Sequence, residues 1–177
     1  AFLSFLTVFT YIFIYTPMKK LTSLNTLVGA IPGALPPIGG WFSAAHEATS
    51  IVPALFGILF CWQIPHFLSL AIIYKEDYKL GGFKMLPSIS KNINVTSFQI
   101  IFFTMALIYS SLGIYVLNLT SLVYAVGAII LGVIFLLYST TILFDSSEKS
   151  VKKIFIFSII YLPMLLLIIL LDSALIK

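Results

Sequence analysis

Long apolar runs, interrupted at intervals by short lysine-bearing loops, dominate this 177-residue sequence. A helix needs roughly 20 mostly apolar residues to cross a hydrocarbon layer about 30 Å thick. Six stretches approach or meet that length, at approximately 1–16, 24–42, 51–74, 96–117, 120–143 and 154–172. The first is short and reads as the remnant of a longer span, so the chain reads as a fragment whose beginning is missing. Composition supports lipid as the solvent: 60% of residues are hydrophobic and 9% are charged, against about 25% charged in an ordinary soluble domain. Disorder is excluded by the same figures. Cys61 is the single cysteine, which excludes a disulfide scaffold. A membrane barrel would alternate apolar and polar residues along short strands, whereas these runs are continuous. The expected fold is therefore all-α, one polytopic transmembrane bundle over residues 1–177.

The loops divide by charge. Lys19 and Lys20 follow the first span, Lys75, Lys79, Lys84 and Lys91 the third, and Lys149, Lys152 and Lys153 the fifth. The alternate loops carry His46 and Glu47, the Asn118–Ser121 turn and the terminal Lys177. By the positive-inside rule the lysine-rich side is cytoplasmic and the C-terminus lies outside. The net charge of +4 is thus a statement about topology, and no nucleic-acid partner is expected.

Three segments carry polar or irregular features of the kind that lipid tolerates only for packing or function. The second span holds Gly29, Pro32, Gly33, Pro36, Pro37, Gly39 and Gly40. Its prolines should bend or break the helix, while Gly29 and Gly33 have the spacing that lets elements approach closely. The third span carries Trp62-Gln63-Ile64-Pro65-His66-Phe67. On an ideal helix Gln63, His66, Leu70 and Tyr74 share a face and Asp77 extends it. The bland reading of His66 is an interhelical hydrogen bond; the sharper one is contact with a ligand. After the third span, adjacent Glu76 and Asp77 are flanked by Lys79 and Lys84. Two carboxylates suit a Mg²⁺ shared with substrate phosphates, and lysines suit the phosphates themselves; a solvated juxtamembrane loop explains the same residues. The Asp145–Lys149 loop reads as an ordinary solvated turn.

Four blocks, in order, carry a resemblance. They are Tyr15-Thr-Pro-Met-Lys-Lys20; Asn25 through Pro37 with Gly40-Trp41; Trp62-Gln-Ile-Pro-His-Phe67; and Glu76-Asp-Tyr78 with Gly82 and Met85-Leu-Pro87. Together these resemble the heme O synthases (protoheme IX farnesyltransferases) among the UbiA-type intramembrane prenyltransferases. The motif-bearing similarity covers about residues 11–90. It implies a nine-helix bundle of which six helices are present here, with a cavity opening toward the cytoplasm of a bacterial inner membrane. The family's first Asp-rich motif would lie in the missing helices, so the fragment alone is expected to be inactive. Its second acidic motif is reduced here to Glu76 and Asp77. The implied reaction joins the farnesyl group of farnesyl diphosphate to a vinyl group of heme b, with Mg²⁺ as cofactor and heme A synthase or terminal oxidase assembly as downstream partners. The residues implied to contact diphosphate are Tyr15, Lys19, Lys20, Asn25, Lys79 and Lys84. Asp77, Glu76 and Lys19 would act in catalysis, the two acids as Mg²⁺ ligands, with Trp62, Gln63 and His66 near heme. Competing readings are a relative acting on a quinone precursor and, from a different class, a transporter subunit built on broken helices.

Overall fold

In lipid every backbone amide needs a partner inside the chain, and a helix supplies one for all but its end groups. The computed structural model describes residues 1–45, 49–90 and 92–175. His46, Glu47, Lys91 and Lys177, which entered the charge pattern, lie outside them. Long helices run over Phe2–Leu21 (α1), Asn25–Ala45 (α2), Ile51–Ile73 (α3), Ile93–Val116 (α6), Leu122–Thr141 (α7) and Glu148–Leu175 (α8); two short ones, Lys75–Leu80 (α4) and Leu86–Ile89 (α5), lie between α3 and α6. Among the described residues, five helices are long and apolar enough to cross a membrane: α1, α3, α6, α7 and α8. α2 has the length, at 21 residues, but its glycines, prolines, Asn25 and Thr26 dilute its apolar character. Helices also outrun the apolar stretches at their ends. α1 continues through Lys19 and Lys20, and α8 starts at Glu148, because polar residues can extend a helix once it leaves hydrocarbon.

α3 occupies the centre, packed on α2, α6 and α8, while α1 joins α2, and α7 bridges α6 and α8. Ile58, Ile64, Leu68, Ile100, Leu107, Tyr124, Phe135, Tyr161 and Leu165 form the core between them. Lipid tails are as apolar as leucine, so close packing and interhelical hydrogen bonds must hold the bundle. Gly132 lets α7 approach α6: a Cβ there would stand 2.6 Å from Ile108. The Thr104 and Ser139 hydroxyls meet at 3.1 Å, Ser111 and Tyr161 at 3.1 Å, and the Tyr124 hydroxyl donates to the Ser111 carbonyl at 2.8 Å. Cys61 is buried as expected of an apolar filler, with the Ser110 hydroxyl 3.9 Å from its sulfur.

One local expectation changes. α2 runs unbroken through Pro32, Pro36 and Pro37, and α3 through Pro65. The carbonyls these prolines leave without their usual donors do not interrupt either helix, since neighbouring elements pack around them. The irregular helix is instead α1, where Thr10–Tyr15 forms a π-helical segment. Pro17 follows two residues later, with no N–H and a ring that crowds the preceding turn; the Thr16 N–H and hydroxyl both turn back to the Tyr11 carbonyl, the hydroxyl at 2.9 Å. The Asp145 turn is solvated, as the sequence reads, and ordered. Its carboxylate accepts the Ser147 N–H at 2.9 Å and the Ser150 hydroxyl at 2.5 Å, organising the entry to α8, and these bonds hold its carboxyl below the usual range.

The ends of the bundle differ. At one end lie the lysines of α1, α4 and α8. At the other, Asp172 of α8 is only 2% exposed and accepts the Ser121 N–H at 2.8 Å together with the Ser121 hydroxyl. A carboxylate on the first N–H groups of α7 satisfies donors that have no partner within the helix and complements its dipole. Asp172→Ala should therefore lower stability by about 0.5–2 kcal/mol, read as a lower melting temperature in detergent; an unchanged midpoint would show that this tie contributes nothing.

Candidate active site

The last turns of α1, the first half of α2 and the middle of α3 enclose a cavity of about 230 Å³, lined by Tyr11, Tyr15, Thr26, Gly29, Pro32, Gly33, Gln63, Phe67 and Met85. Two glycines make it possible. A Cβ on Gly29 would lie 2.5 Å from the Tyr15 ring, and one on Gly33 would collide with the Gln63 amide. The Gly29/Gly33 pair thus seats side chains of α1 and α3 rather than a bare helix backbone. Gln63 is buried and donates through Nε2 to the carbonyls of Leu59 at 3.0 Å and Ala30 at 3.4 Å, so its amide orientation is set by backbone. A larger cleft of about 650 Å³ opens toward the other end between Phe2–Val8 and Leu35–Ser43, but among the described residues no titratable side chain lines it.

Lys19 caps the smaller cavity. Its Nζ stands 4.4 Å from the Tyr15 ring centroid and 5.4 Å from that of Tyr11, and the two rings lie 5.1 Å apart. Ring faces attract a cation within about 6 Å, so the ammonium rests half-buried at the mouth. Lys20, the next residue, is exposed and takes no part in this arrangement.

A latch ties the lysine loops together. The Lys84 N–H donates to the Lys19 carbonyl at 2.7 Å. Asn25 Nδ2 donates to the Lys84 carbonyl at 2.9 Å and the Thr22 carbonyl at 2.6 Å, while its Oδ1 accepts the Thr26 hydroxyl at 3.3 Å. Asn25 is fully buried. Expected to contact diphosphate, it instead uses its amide on backbone and holds the loop that carries Lys84. The intervening segment folds back through Phe83 N–H to the Tyr78 carbonyl at 2.9 Å, with Gly82 at a φ of +70° that a side chain would strain. Tyr78 packs edge-on against Phe83 at 6.2 Å, and burial pushes its phenol above the usual value. Glu76 and Asp77 lie exposed in the first turn of α4, and Lys79 and Lys84 present their side chains outward. Among the described residues no group of three or more His, Cys, Asp or Glu side chains gathers to hold a metal. The two acids alone match a Mg²⁺ that takes its remaining ligands from phosphates and water.

The expected common face of α3 does not hold. Gln63 looks toward α2, whereas Trp62 and His66 turn to α8: Trp62 Nε1 donates to the Ser158 carbonyl at 2.7 Å and His66 Nδ1 meets the Ser158 hydroxyl at 2.8 Å. Residues three apart diverge by about 60°, enough to separate two neighbouring helices. Nor does Asp77 extend the stripe, because α3 ends at Ile73, Tyr74 leaves helical geometry, and α4 starts as a separate helix. Sequence reading missed Tyr11, whose spacing of four before Tyr15 was a usable signal, and Ser158, which carried none.

The sequence profile of the UbiA prenyltransferase family matches residues 1–167. The chain belongs to this family. Among relatives of this UbiA chain, the protoheme IX farnesyltransferase of Solibacter usitatus is 42% identical over 166 residues, covering 94% of this chain and 57% of the relative. That of Salinibacter ruber is 40% identical over 164 residues, covering 92% and 57%. The chain thus spans a little under three-fifths of the length of these curated relatives. A solved structure of digeranylgeranylglyceryl phosphate synthase superposes with a TM-score of 0.77 over 95% of this chain and 58% of its own, at 17% identity. At that identity the likeness is one of fold. The UbiA bundle is therefore the scaffold on which the latch and cavity are built.

Removing the Asn25 donor should loosen the rim. Both Asn25→Ala and Asn25→Asp should cost about 1–3 kcal/mol and speed hydrogen exchange at the Lys84 and Met85 amides; protection at wild-type levels in both variants would show that the latch holds nothing.

Proposed function

We propose that this chain forms the cavity-bearing part of a protoheme IX farnesyltransferase, transferring the farnesyl group of farnesyl diphosphate to a vinyl group of heme b. The observation that carries the reading is the aromatic cavity mouth guarded by Lys19, in a chain whose relatives bear that activity in their names. The allylic C–O bond of the diphosphate breaks, the farnesyl carbon bonds to the terminal vinyl carbon, and water adds to the other vinyl carbon with loss of its proton. The product keeps a hydroxyl, so the site admits one water rather than excluding solvent altogether.

Each part of this rim has a place in that chemistry. The Lys19 ammonium offsets negative charge as diphosphate departs, an electrostatic contribution that strengthens where water is scarce. Tyr15 and Tyr11, already positioned for a cation, offer ring faces to the allylic carbon as it turns cationic. Phe67 and Met85 give the isoprenoid chain an apolar wall. Lys79 and Lys84 lie outside the mouth, where they attract the anionic substrate from water; Lys20 adds to the same field. Glu76 and Asp77 would hold Mg²⁺, which supplies charge neutralisation to the diphosphate when bound. Asn25 serves the site through the latch.

By charge distribution the lysine-bearing end faces the cytoplasm and the Asp172 end lies outside, in the inner membrane of a bacterium. Heme O made there would be consumed by heme A synthase or by assembly of a terminal oxidase.

Mass spectrometry of heme from cells expressing the full-length protein should show protoheme carrying a hydroxyfarnesyl addition; its absence would refute the assignment. Lys19→Ala should raise KM for farnesyl diphosphate roughly 10- to 100-fold with heme affinity little changed, and equal KM values would remove Lys19 from the diphosphate site. Asp77→Asn should abolish most turnover while leaving helical content by circular dichroism intact; normal turnover would exclude it from the mechanism.

A further inference from the structure

His66 has an unusual set of neighbours for an intramembrane histidine. Its ring stacks between Trp62 (5.0 Å, 15°) and Phe155 (5.0 Å, 24°), and Phe67 meets it edge-on at 5.2 Å. The proton positions follow from the hydrogen-bond network. The Ser158 hydroxyl donates its one hydrogen to the Phe155 carbonyl at 2.6 Å. With its hydrogen so placed, it accepts from His66, whose Nδ1 stands 2.8 Å away. Nδ1 carries the proton and Nε2 is left with a bare lone pair. Nε2 has no partner among the described residues, yet it does not belong to their buried unsatisfied atoms, Thr96 Oγ1 and Thr120 Oγ1. It is thus open to an incoming group.

A neutral imidazole whose Nδ1–H is anchored to an oxygen is the arrangement of a metal-binding histidine, in which the outer partner fixes the ring and its tautomer. No cluster of further His, Cys, Asp or Glu ligands stands beside it among the described residues. A bare ion would find one ligand here. A metal that brings four ligands of its own, held in a flat macrocycle, needs only one more. The flanking rings of Trp62, Phe67 and Phe155 offer apolar surface to such a plane, and Phe67 also lines the 230 Å³ cavity, which places the two sites back to back across one ring.

We propose that His66 Nε2 is the axial ligand to the iron of the porphyrin substrate, with Ser158 on α8 as the positioning residue that fixes its tautomer. The proposal rests on the farnesyltransferase reading for the presence of a porphyrin, and adds how the acceptor is gripped and by which atom.

The test uses the full-length protein in detergent, ferric heme as probe, and metal-free protoporphyrin IX as control. Wild type should bind ferric heme with a Soret position that His66→Ala shifts, with at least about tenfold weaker binding, and added imidazole should restore the wild-type spectrum. His66→Met keeps bulk for packing, and should also move the Soret band. Ser158→Ala, which removes the acceptor for Nδ1–H, should weaken ferric heme binding in the same direction. Metal-free protoporphyrin has no axial position, and should bind wild type and His66→Met alike. If both His66→Met and Ser158→Ala keep the wild-type spectrum and affinity while wild type farnesylates protoheme, this ligation is wrong and the proposed activity stands. If wild type neither binds nor farnesylates protoheme, both are wrong.

Discussion

A polar group inside a bilayer finds no water, and must be answered by another part of the chain. That constraint shapes this protein from end to end. Helix formation answers the backbone, and the remaining polar side chains are joined across helices: Thr104 to Ser139, Ser111 to Tyr161, Trp62 and His66 to Ser158, and Asp172 to the start of α7. Each pair fixes a register between two helices that apolar packing against lipid-like neighbours would leave loose. The bundle is held less by greasiness than by matched exceptions to it.

The same constraint explains where the irregular features went. Prolines in α2 were expected to bend or break it, yet α2 continues, as α3 does through Pro65, each buried against neighbours on at least one side. The departure from α-helical register falls instead in α1 just before Thr16-Pro17, next to the cavity. A widened turn there sets Tyr11 and Tyr15 side by side beneath Lys19. The small residues of α2 have a related consequence. Gly29 and Gly33 leave room for a tyrosine ring and a glutamine amide, and so shape a cavity wall from two other helices.

Around that cavity the charges are segregated. Ammonium groups and two carboxylates gather at one end, while the membrane interior holds an imidazole engaged by α8. In the proposed farnesyl transfer a diphosphate would belong with the former and an apolar chain with the cavity. α3 touches both regions, through Gln63 and Phe67 on one side and Trp62 and His66 on the other. The proposed reaction, which must bring a polar head and a flat aromatic acceptor to one reacting carbon, would use an element placed in this way.

Several of these features were legible from residue order. Continuous apolar runs require helices because no other open structure satisfies a backbone in lipid. Tyr15 and Lys19, both named from the resemblance, lie with ring against ammonium. What order alone did not reveal was the use to which each polar group is put. Asn25 looked like a ligand and is a buried latch, because Lys84, 59 residues later, returns its backbone to it. Gln63 and His66 looked like one stripe and serve two helices. Ser158 had no signal, being one serine among many until α8 docks on α3, 92 residues away from its histidine. Periodicity and hydropathy are properties of a segment and determine which elements form. The partner of a side chain depends on which segments meet, and that is decided only when the helices pack.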